Sequence, residues 1–179
     1  MVDYTNVLAG KRAVVTGAGK GIGKAIAIAF AEHGAEVACL SRTKSDLDAT
    51  VATIKSNGGS AVAVPCDVAD LDAVHRAFSD LGREWGGIDI LMANAGGNLE
   101  KKTVEESDPT VWRRVVDVNL TGVYYCAKHA IPLLKKNGGG KIIVTGSGMG
   151  RKGAAEISAY ACAKAGVWML TRVLAQELR

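Results

Sequence analysis

The chain has 179 residues, of which 48% are hydrophobic and 22% charged, enough for one domain with one sizeable core and typical of a soluble globular protein. Its 22 Lys and Arg against 18 Asp and Glu give a net charge of +4, too small a surplus for a nucleic-acid-binding surface. No apolar run reaches membrane-spanning length, and the first ten residues lack the pattern of a signal peptide, so we expect a cytoplasmic protein without a membrane partner.

Short apolar runs alternate with longer amphipathic ones along the chain. Residues 11–19 are predicted to form a strand that ends in a glycine turn, and residues 24–34 a helix closed by Gly34. Asp108 before Pro109 predicts an N-cap with proline in the first helical position, and so the start of a long helix. Further strands are predicted over residues 35–41, 60–68, 88–97 and 138–148, and further helices over residues 45–59, 70–87, about 109–136 and about 157–179.

This order of strands and helices is typical of a parallel sheet covered by helices on both faces. The apolar strands lack strict alternation, as expected of strands that are buried on both sides. The sequence therefore predicts a single domain over residues 1–179 of the α/β class, with a doubly wound parallel sheet in a three-layer αβα Rossmann fold.

The glycine turn after the first strand indicates a dinucleotide-binding site. The pattern G-x-G-x-x-G fits no register of residues 14–27, which instead read T-G-x-x-x-G-x-G with Thr16, Gly17, Gly21 and Gly23. Glycines let the backbone approach a pyrophosphate closely, and the following helix offers free N–H groups and the positive end of its dipole. The alternative is a purely structural turn, but the position between the first strand and the first helix favours the dinucleotide site.

The end of the second strand bears on the choice of dinucleotide. An NAD-binding protein usually carries a carboxylate there for the ribose hydroxyls, but this chain reads Ser41, Arg42 and Thr43. Arg42 can pair bidentately with a 2′-phosphate, and Lys20 in the glycine turn adds a second positive charge. NADP is therefore favoured over NAD, with solvated surface charges as the alternative interpretation of both side chains.

The four cysteines are far apart and form neither a CxxC pair nor the spacing of a metal site, so no metal is expected. Three lie among apolar neighbours, which predicts small core residues in a reducing compartment. For the fourth, Cys162, helix packing is favoured over a role near chemistry. The four are Cys39, Cys66, Cys126 and Cys162.

Tyr160 and Lys164 are four residues apart, so a helix would place them one above the other. An amphipathic helix with a lysine stem on its face has the same spacing, and the pair alone leaves both interpretations open. Seven markers in one order together resemble the short-chain dehydrogenases/reductases over essentially all 179 residues. The markers are the turn Thr16–Gly23 with Ile22, the pair Asp67-Val68, the run Asn94-Ala95-Gly96, and Asn119, Ser147, Tyr160 and Lys164.

The resemblance implies a catalytic set. Tyr160 is expected to be the general acid/base, and Lys164 to stabilise its phenolate and bind the nicotinamide ribose hydroxyls. Ser147 is expected to hold the substrate oxygen beside Tyr160. Asn119 is expected to position a water that relays protons between Lys164 and solvent.

The resemblance also implies a cofactor-binding set, to which Tyr160 and Lys164 belong. Asp67 is expected to accept from the adenine amino group, with Val68 against the ring. Asn94, Ala95 and Gly96 are expected beside the adenine ribose and at the centre of the sheet. The alternatives are an N-cap or turn role for Asp67 and a turn role for Asn94. The remaining expected contacts are Gly17, Lys20, Gly21, Ile22, Gly23, Ser41 and Arg42.

The activity implied is hydride transfer between NADP(H) and a small-molecule carbonyl or secondary alcohol, such as a 3-oxoacyl thioester or a sugar-derived ketone. Ala93 and Gly146 depart mildly from the family pattern, which often has Asn and Ser there. Members of the family continue beyond the Tyr-Lys helix with two more strands and a substrate lid, whereas the sequence given stops at "LAQELR", so those strands are not expected. The alternative function is therefore a module that binds the cofactor but is catalytically silent.

Family resemblance further implies a homo-oligomer, a dimer or a tetramer, that pairs through the long helix and the Tyr-Lys helix. Both helices carry apolar residues suited to such an interface, although the same residues suit the core of one domain. They are Val115, Val118, Val123, Trp168 and Leu174.

Overall fold

A computed structural model describes residues 6–179 as one five-stranded parallel sheet with helices on both faces. The strands are β1 Arg12–Thr16, β2 Glu36–Ser41, β3 Ser60–Pro65, β4 Ile90–Ala93 and β5 Lys141–Val144. The helices are α1 Gly21–Glu32, α2 Lys44–Ser56, α3 Leu71–Trp85, α4 Pro109–Val116, α5 Gly122–Lys136, α6 Met149–Lys152 and α7 Ser158–Glu177. The predicted doubly wound α/β fold is confirmed.

The strands are apolar on both faces because helices cover both. In β1, Ala13, Val14 and Val15 are all fully buried, with Val14 in one hydrophobic cluster and its two neighbours in the other. The first cluster is formed with α3, α5 and α7, and the second with α1 and α2. A continuous apolar run is therefore required in β1, and this explains the lack of alternation in its sequence.

The order of the strands is β3-β2-β1-β4-β5. The chain winds outward from β1 through β2 to β3, then returns to the other side of β1 and continues through β4 to β5. The direction of winding thus changes between β1 and β4. In open α/β sheets, ligands bind outside the carboxyl ends of the strands at such a switch point.

The long helix expected over residues 109–136 is not continuous. A π-helical turn, Asp117–Thr121, separates α4 from α5. Its start is as predicted: the side chain of Asp108 accepts a hydrogen bond from the backbone N–H of Thr110 at 2.7 Å, and Pro109 is the first helical residue. The wider turn places Asn119, a predicted catalytic residue, where its side chain is completely buried.

β5 lies at one edge of the sheet and pairs with β4 on its inner side. Beside its outer edge is a groove of about 720 Å³, lined by apolar and charged residues of α5, β5 and α7 and by the glycines of residues 138–140. Ile143 of β5 is 44% exposed. The groove lies away from the carboxyl ends of β1 and β4, and we place no chemistry in it.

The cysteines agree in part with expectation. Cys39, Cys66 and Cys126 are buried with free thiols, whereas Cys162 is exposed on α7 and does not pack inside the domain. Burial raises the pKa of Cys39 to about 12. Across residues 6–179, no helix has both the length and the apolar character needed to cross a membrane.

Candidate cofactor and active site

The glycine turn between β1 and α1 is tightly packed on one side and open on the other. A Cβ on Gly23 would lie 2.2 Å from the carbonyl oxygen of Gly17, so only glycine fits there. Gly17 has φ +70° and lies against the backbone of Ala95. Gly21 has φ +56° and open space around it, so its left-handed backbone rather than crowding favours glycine.

The first turn of α1 is available to an anion. The Lys20 side chain, at the N-cap, makes no capping hydrogen bond, so no side chain from that position occupies the leading N–H groups of the helix. Ile22 in this turn is 67% exposed, and Lys20 is exposed as well. Free amides, the helix dipole and the open space at Gly21 together fit the pyrophosphate of a dinucleotide.

Thr50 of α2 forms a hydrogen bond to the glycine turn, a contact that the sequence did not predict. Its hydroxyl is completely buried and lies 3.0 Å from the carbonyl oxygens of both Ala18 and Asp46. The single hydroxyl proton therefore links the glycine turn to α2. A threonine within a helical pattern gives no signal of such a long-range bond.

We expect Thr50→Val to lower the free energy of unfolding by about 1–3 kcal/mol, because the Ala18 carbonyl loses a buried partner. Thr53→Val is the matched control, since Thr53 lies on the same helix and, among residues 6–179, its hydroxyl bonds only the Ala49 carbonyl within that helix. Denaturant unfolding of both variants measures the difference. Equal losses in the two variants would contradict a supporting role for Thr50.

Asn94 and Thr16 tie together the carboxyl ends of three strands. The Thr16 hydroxyl accepts from the backbone N–H groups of Asn94 and Ala95 at 2.9 and 3.0 Å. The Asn94 side chain donates to the Thr16 carbonyl at 3.2 Å and accepts from the Thr145 hydroxyl at 3.1 Å. This network joins β1, β4 and β5 at the switch point, consistent with the expected role of Asn94 at the centre of the sheet.

Ser41 is the last residue of β2 and Arg42 follows it, beside the glycine turn. A Cβ on Gly19 would come within 2.9 Å of the Ser41 hydroxyl oxygen, so the turn and the end of β2 are in contact. The Ser41 hydroxyl donates to the Thr43 carbonyl at 3.5 Å, and Arg42 is exposed. Arg42 is thus free to turn toward a ligand that lies over the turn.

Asp67 follows β3 and is bound from two sides. Its carboxylate accepts from the Ala69 backbone N–H at 3.1 Å and from the Arg114 guanidinium at 2.5 Å. Partial burial acts to raise the Asp67 pKa, but the hydrogen bonds from Arg114 and Ala69 and the positive charges of Arg114 and Arg42 hold it below its usual value. Asp67 is not the N-cap of α3, a role that Asp70 fills.

The Val68 side chain points into the domain. It is 5% exposed and lies within 2.8 Å of the position that a Cβ on Gly122 would occupy. The side chain of Val68 therefore packs against α5 in the core. Its expected contact with an adenine ring remains a prediction, which its backbone rather than its side chain would have to fulfil.

Tyr160 and Lys164 lie one turn apart on α7, as predicted. The Lys164 ammonium lies 5.7 Å from the centre of the Tyr160 ring and donates to the Thr145 carbonyl at 2.8 Å. Lys164 is 3% exposed, yet among residues 6–179 its other two N–H donors have no hydrogen-bond partner. A buried cation with two spare donors is suited to bind the hydroxyls of a ligand.

Asn119 and Lys164 converge on Gly96. The Asn119 side chain donates to the Gly97 and Val115 carbonyls, each at 2.8 Å, and accepts from the Gly97 backbone N–H at 3.0 Å. A Cβ on Gly96 would lie 2.4 Å from the Asn119 side-chain oxygen and 3.5 Å from the Lys164 nitrogen. The Asn119 amide thus holds the loop after β4 in place, and both of its N–H donors are already used.

Ser147 follows β5 and is half-buried. Its hydroxyl oxygen accepts from the Met149 backbone N–H at 3.2 Å, at the start of α6. The hydroxyl proton is therefore left to be donated elsewhere. Ser147 follows β5, and so does Thr145, whose carbonyl bonds Lys164. The end of this one strand therefore supplies both residues.

Burial lowers the pKa of Lys164 from its ordinary 10.5. Between the lowered pKa and 10.5, the unfolded chain binds more protons than the folded chain, so the contribution of Lys164 to stability rises with pH. We expect the unfolding free energy of the wild type minus that of Lys164→Met to increase over this range. Lys152→Met, at an exposed lysine, is the control that should show no such increase. A flat or falling difference for Lys164→Met would contradict the burial cost.

A known protein family matches almost the whole chain. A family model described as short chain dehydrogenase matches residues 11–179. The chain belongs to the short chain dehydrogenase family. Every marker residue predicted from the sequence lies within the matched range.

Individual relatives agree. The chain is 41% identical over 160 residues to cis-4-hydroxycyclohexanecarboxylate dehydrogenase of Sinomonas cyclohexanicum, covering 89% of this chain and 64% of the relative. It is 39% identical to (-)-trans-carveol dehydrogenase of Rhodococcus erythropolis, covering 94% of this chain and 66% of the relative. The crystal structure of carveol dehydrogenase from Mycobacterium avium in complex with NAD matches with a TM-score of 0.92 and 32% identity, covering 97% of this chain and 68% of that one. The chain spans about two thirds of these proteins' lengths.

Proposed function

We propose that this chain carries the NADP(H)-binding and catalytic residues of an oxidoreductase that interconverts a carbonyl compound and a secondary alcohol. The observation that carries the proposal is the convergence on Gly96 of a buried Lys164 with two spare N–H donors and Asn119, one helical turn from Tyr160. When bound, the nicotinamide supplies or accepts the hydride.

Three residues of the chain have the remaining roles in proton transfer and in binding. Tyr160 donates a proton to the carbonyl oxygen, or removes one from the alcohol, as general acid/base. Lys164 stabilises the phenolate form by its charge and binds ribose hydroxyls with its free donors. The Ser147 hydroxyl donates to the substrate oxygen and holds it beside Tyr160.

Asn119 was expected to hold the water of a proton relay with its side chain, but that side chain has no free donor for a water. Both N–H donors of its side chain bond backbone carbonyls, so the side chain fixes the π-helical turn and the loop at Gly97. We propose that any water between Lys164 and solvent is held by backbone groups of this turn rather than by the Asn119 amide. Asn119 then acts on Lys164 by position.

The preference for NADP over NAD rests on Arg42, which is exposed next to the glycine turn, and on Lys20 at the N-cap of α1. Two similar structures, a xylitol dehydrogenase and a carveol dehydrogenase, were solved with NAD, so NAD is the competing dinucleotide for this chain. We expect Arg42→Gln to raise the Kd for NADPH about tenfold or more, as for loss of a hydrogen bond to a charged group, and to leave that for NADH nearly unchanged. Equal effects on both would contradict the role of Arg42.

The substrate class is a small ketone or secondary alcohol. One relative is named for a hydroxycyclohexanecarboxylate and another for a 3-oxoacyl-[acyl-carrier-protein], so a compact secondary alcohol and a 3-oxoacyl thioester are both candidates. A panel of cyclic ketones, sugar-derived ketones and 3-oxoacyl thioesters, each tested with NADPH, separates these possibilities. Oxidation of NADPH by at least one member is the expected result, and oxidation by none would favour the alternative below.

The alternative is a module that binds the dinucleotide and is catalytically silent. It is favoured by the open groove of about 720 Å³ beside the outer edge of β5. Dinucleotide binding without NADPH oxidation would distinguish it from the leading proposal.

We further propose a cytoplasmic homo-oligomer: Trp168 on α7 is 45% exposed, whereas Val115 and Val123 are buried within the chain and do not form an interface. Light scattering would measure the assembly.

A further inference from the structure

The Asp67–Arg114 pair joins two regions that are 47 residues apart in the sequence. Asp67 follows β3 at the edge where the glycine turn and Arg42 lie, and Arg114 is in the last turn of α4. The Arg114 guanidinium donates to one oxygen of the Asp67 carboxylate at 2.5 Å, while the Ala69 backbone N–H donates to the other at 3.1 Å. The two donors approach from different sides and fix the plane of the carboxylate.

The Asp67 carboxylate can accept further hydrogen bonds from a ligand. Each carboxylate oxygen can accept two hydrogen bonds, and each accepts one from the protein here. The side chains of Arg114 and Asp67 are 33% and 31% exposed, so the pair is reached from solvent. An amino group that approaches this edge meets an oriented, ionised acceptor.

We propose that Arg114 is a positioning residue that holds Asp67 in the orientation in which it accepts the amino group of adenine, and so sets the preference for adenine over bases that lack this group. The inference rests on the proposed dinucleotide site. Hypoxanthine carries a carbonyl oxygen in place of the amino group, so it would present an acceptor to a carboxylate and be repelled.

The charge state of Asp67 supports the same assignment. The hydrogen bonds of Arg114 and Ala69, with the charges of Arg114 and Arg42, outweigh the effect of partial burial and keep the pKa of Asp67 low. The carboxylate is therefore only an acceptor near neutral pH. Arg42 contributes by charge alone among residues 6–179, whereas Arg114 makes the direct bond.

A merely structural clamp between α4 and the end of β3 is the competing explanation. A clamp would stabilise the site for every dinucleotide to the same extent. A positioning residue would instead change the ratio of two affinities that differ only in the base. The ratio of the Kd for the deamino analogue of NADPH, in which hypoxanthine replaces adenine, to the Kd for NADPH is therefore the quantity to measure.

Calorimetric titration of the 179-residue chain with NADPH and with its deamino analogue provides this ratio. In the wild type we expect tighter binding of NADPH by roughly tenfold, the size of effect of one hydrogen bond to a charged group. In Arg114→Gln the ratio should fall close to one, mainly through weaker NADPH binding. Arg113→Gln, at the exposed neighbouring arginine of α4, should keep the wild-type ratio.

Three further variants sharpen the test. Asp67→Ala should abolish the preference, and adding Arg114→Gln to it should change the ratio no further, because Arg114 acts through Asp67. Arg114→Lys keeps the positive charge but loses the planar guanidinium, so it should give an intermediate ratio. It also replaces Arg114→Gln in the test if that variant fails to fold.

An unchanged ratio in Arg114→Gln or in Arg114→Lys, or equal weakening of both dinucleotides, would overturn the inference while the proposed function stands. A wild-type chain that binds neither dinucleotide would contradict the proposed function, and the inference with it.

Discussion

Replacing Tyr160 by Phe is expected to lower kcat by about 10²- to 10⁴-fold, the usual contribution of a general acid/base. The ring, its packing on α7 and its position 5.7 Å from the Lys164 ammonium are all retained, and only the hydroxyl is lost. Dinucleotide affinity should therefore change little. Steady-state oxidation of NADPH with the best ketone of the panel measures kcat, and calorimetry measures the affinity.

Tyr124→Phe is the matched control, because Tyr124 is a tyrosine on a different helix, α5, and is 46% exposed, whereas Tyr160 is half-buried on α7. It should keep the wild-type kcat. Activity that survives in Tyr160→Phe would refute the assigned general acid/base. Binding of the dinucleotide without activity in the wild type as well would instead favour the silent module.

Gly23→Ala is expected to destabilise the domain strongly and to weaken dinucleotide binding. The added methyl group would lie 2.2 Å from the Gly17 carbonyl oxygen and 2.6 Å from the Asn94 side-chain nitrogen, so the turn, α1 or β4 must shift. Overpacking of this kind costs about 1–3 kcal/mol, and a clash with backbone belongs at the upper end. Denaturant unfolding measures the loss.

Gly148→Ala is the control for this variant. Its φ of −58° suits any residue, and a Cβ there would meet nothing within 4 Å. The unfolding free energy should then change by no more than about 0.5 kcal/mol, as for most surface substitutions. Similar losses in Gly23→Ala and Gly148→Ala would contradict the tight contact between α1 and the glycine turn.

The fold was predictable because local signals agreed with it along the chain. Asp108 with Pro109 marked the start of α4, Gly34 marked the end of α1 with φ +92°, and apolar strands alternated with amphipathic helices. The π-helical turn was not predictable, since residues 117–121 continue the helical pattern and the wider turn is stabilised by tertiary bonds of Asn119. Tertiary context prevailed over local propensity there.

The sequence indicated the residues of the candidate site but not the bonds they make, and the roles of those residues stay predictions. The spacing of Tyr160 and Lys164 placed both on one face of a helix, but nothing in the sequence indicated that Lys164 would bond the Thr145 carbonyl. Thr50 and Arg114 were missed because each acts across more than 30 residues, on the glycine turn and on Asp67 respectively. The sequence did not show that the Val68 side chain lies in the core, so its expected contact with an adenine ring stays a prediction for its backbone.

The central claim is that the carboxyl ends of β1, β2, β3 and β4 form an NADP(H) site. Calorimetric titration of the 179-residue chain with NADPH and then with NADH tests it most directly. The account predicts saturable one-to-one binding of NADPH and much weaker binding of NADH. Binding of neither dinucleotide, or tighter binding of NADH than of NADPH, would contradict it.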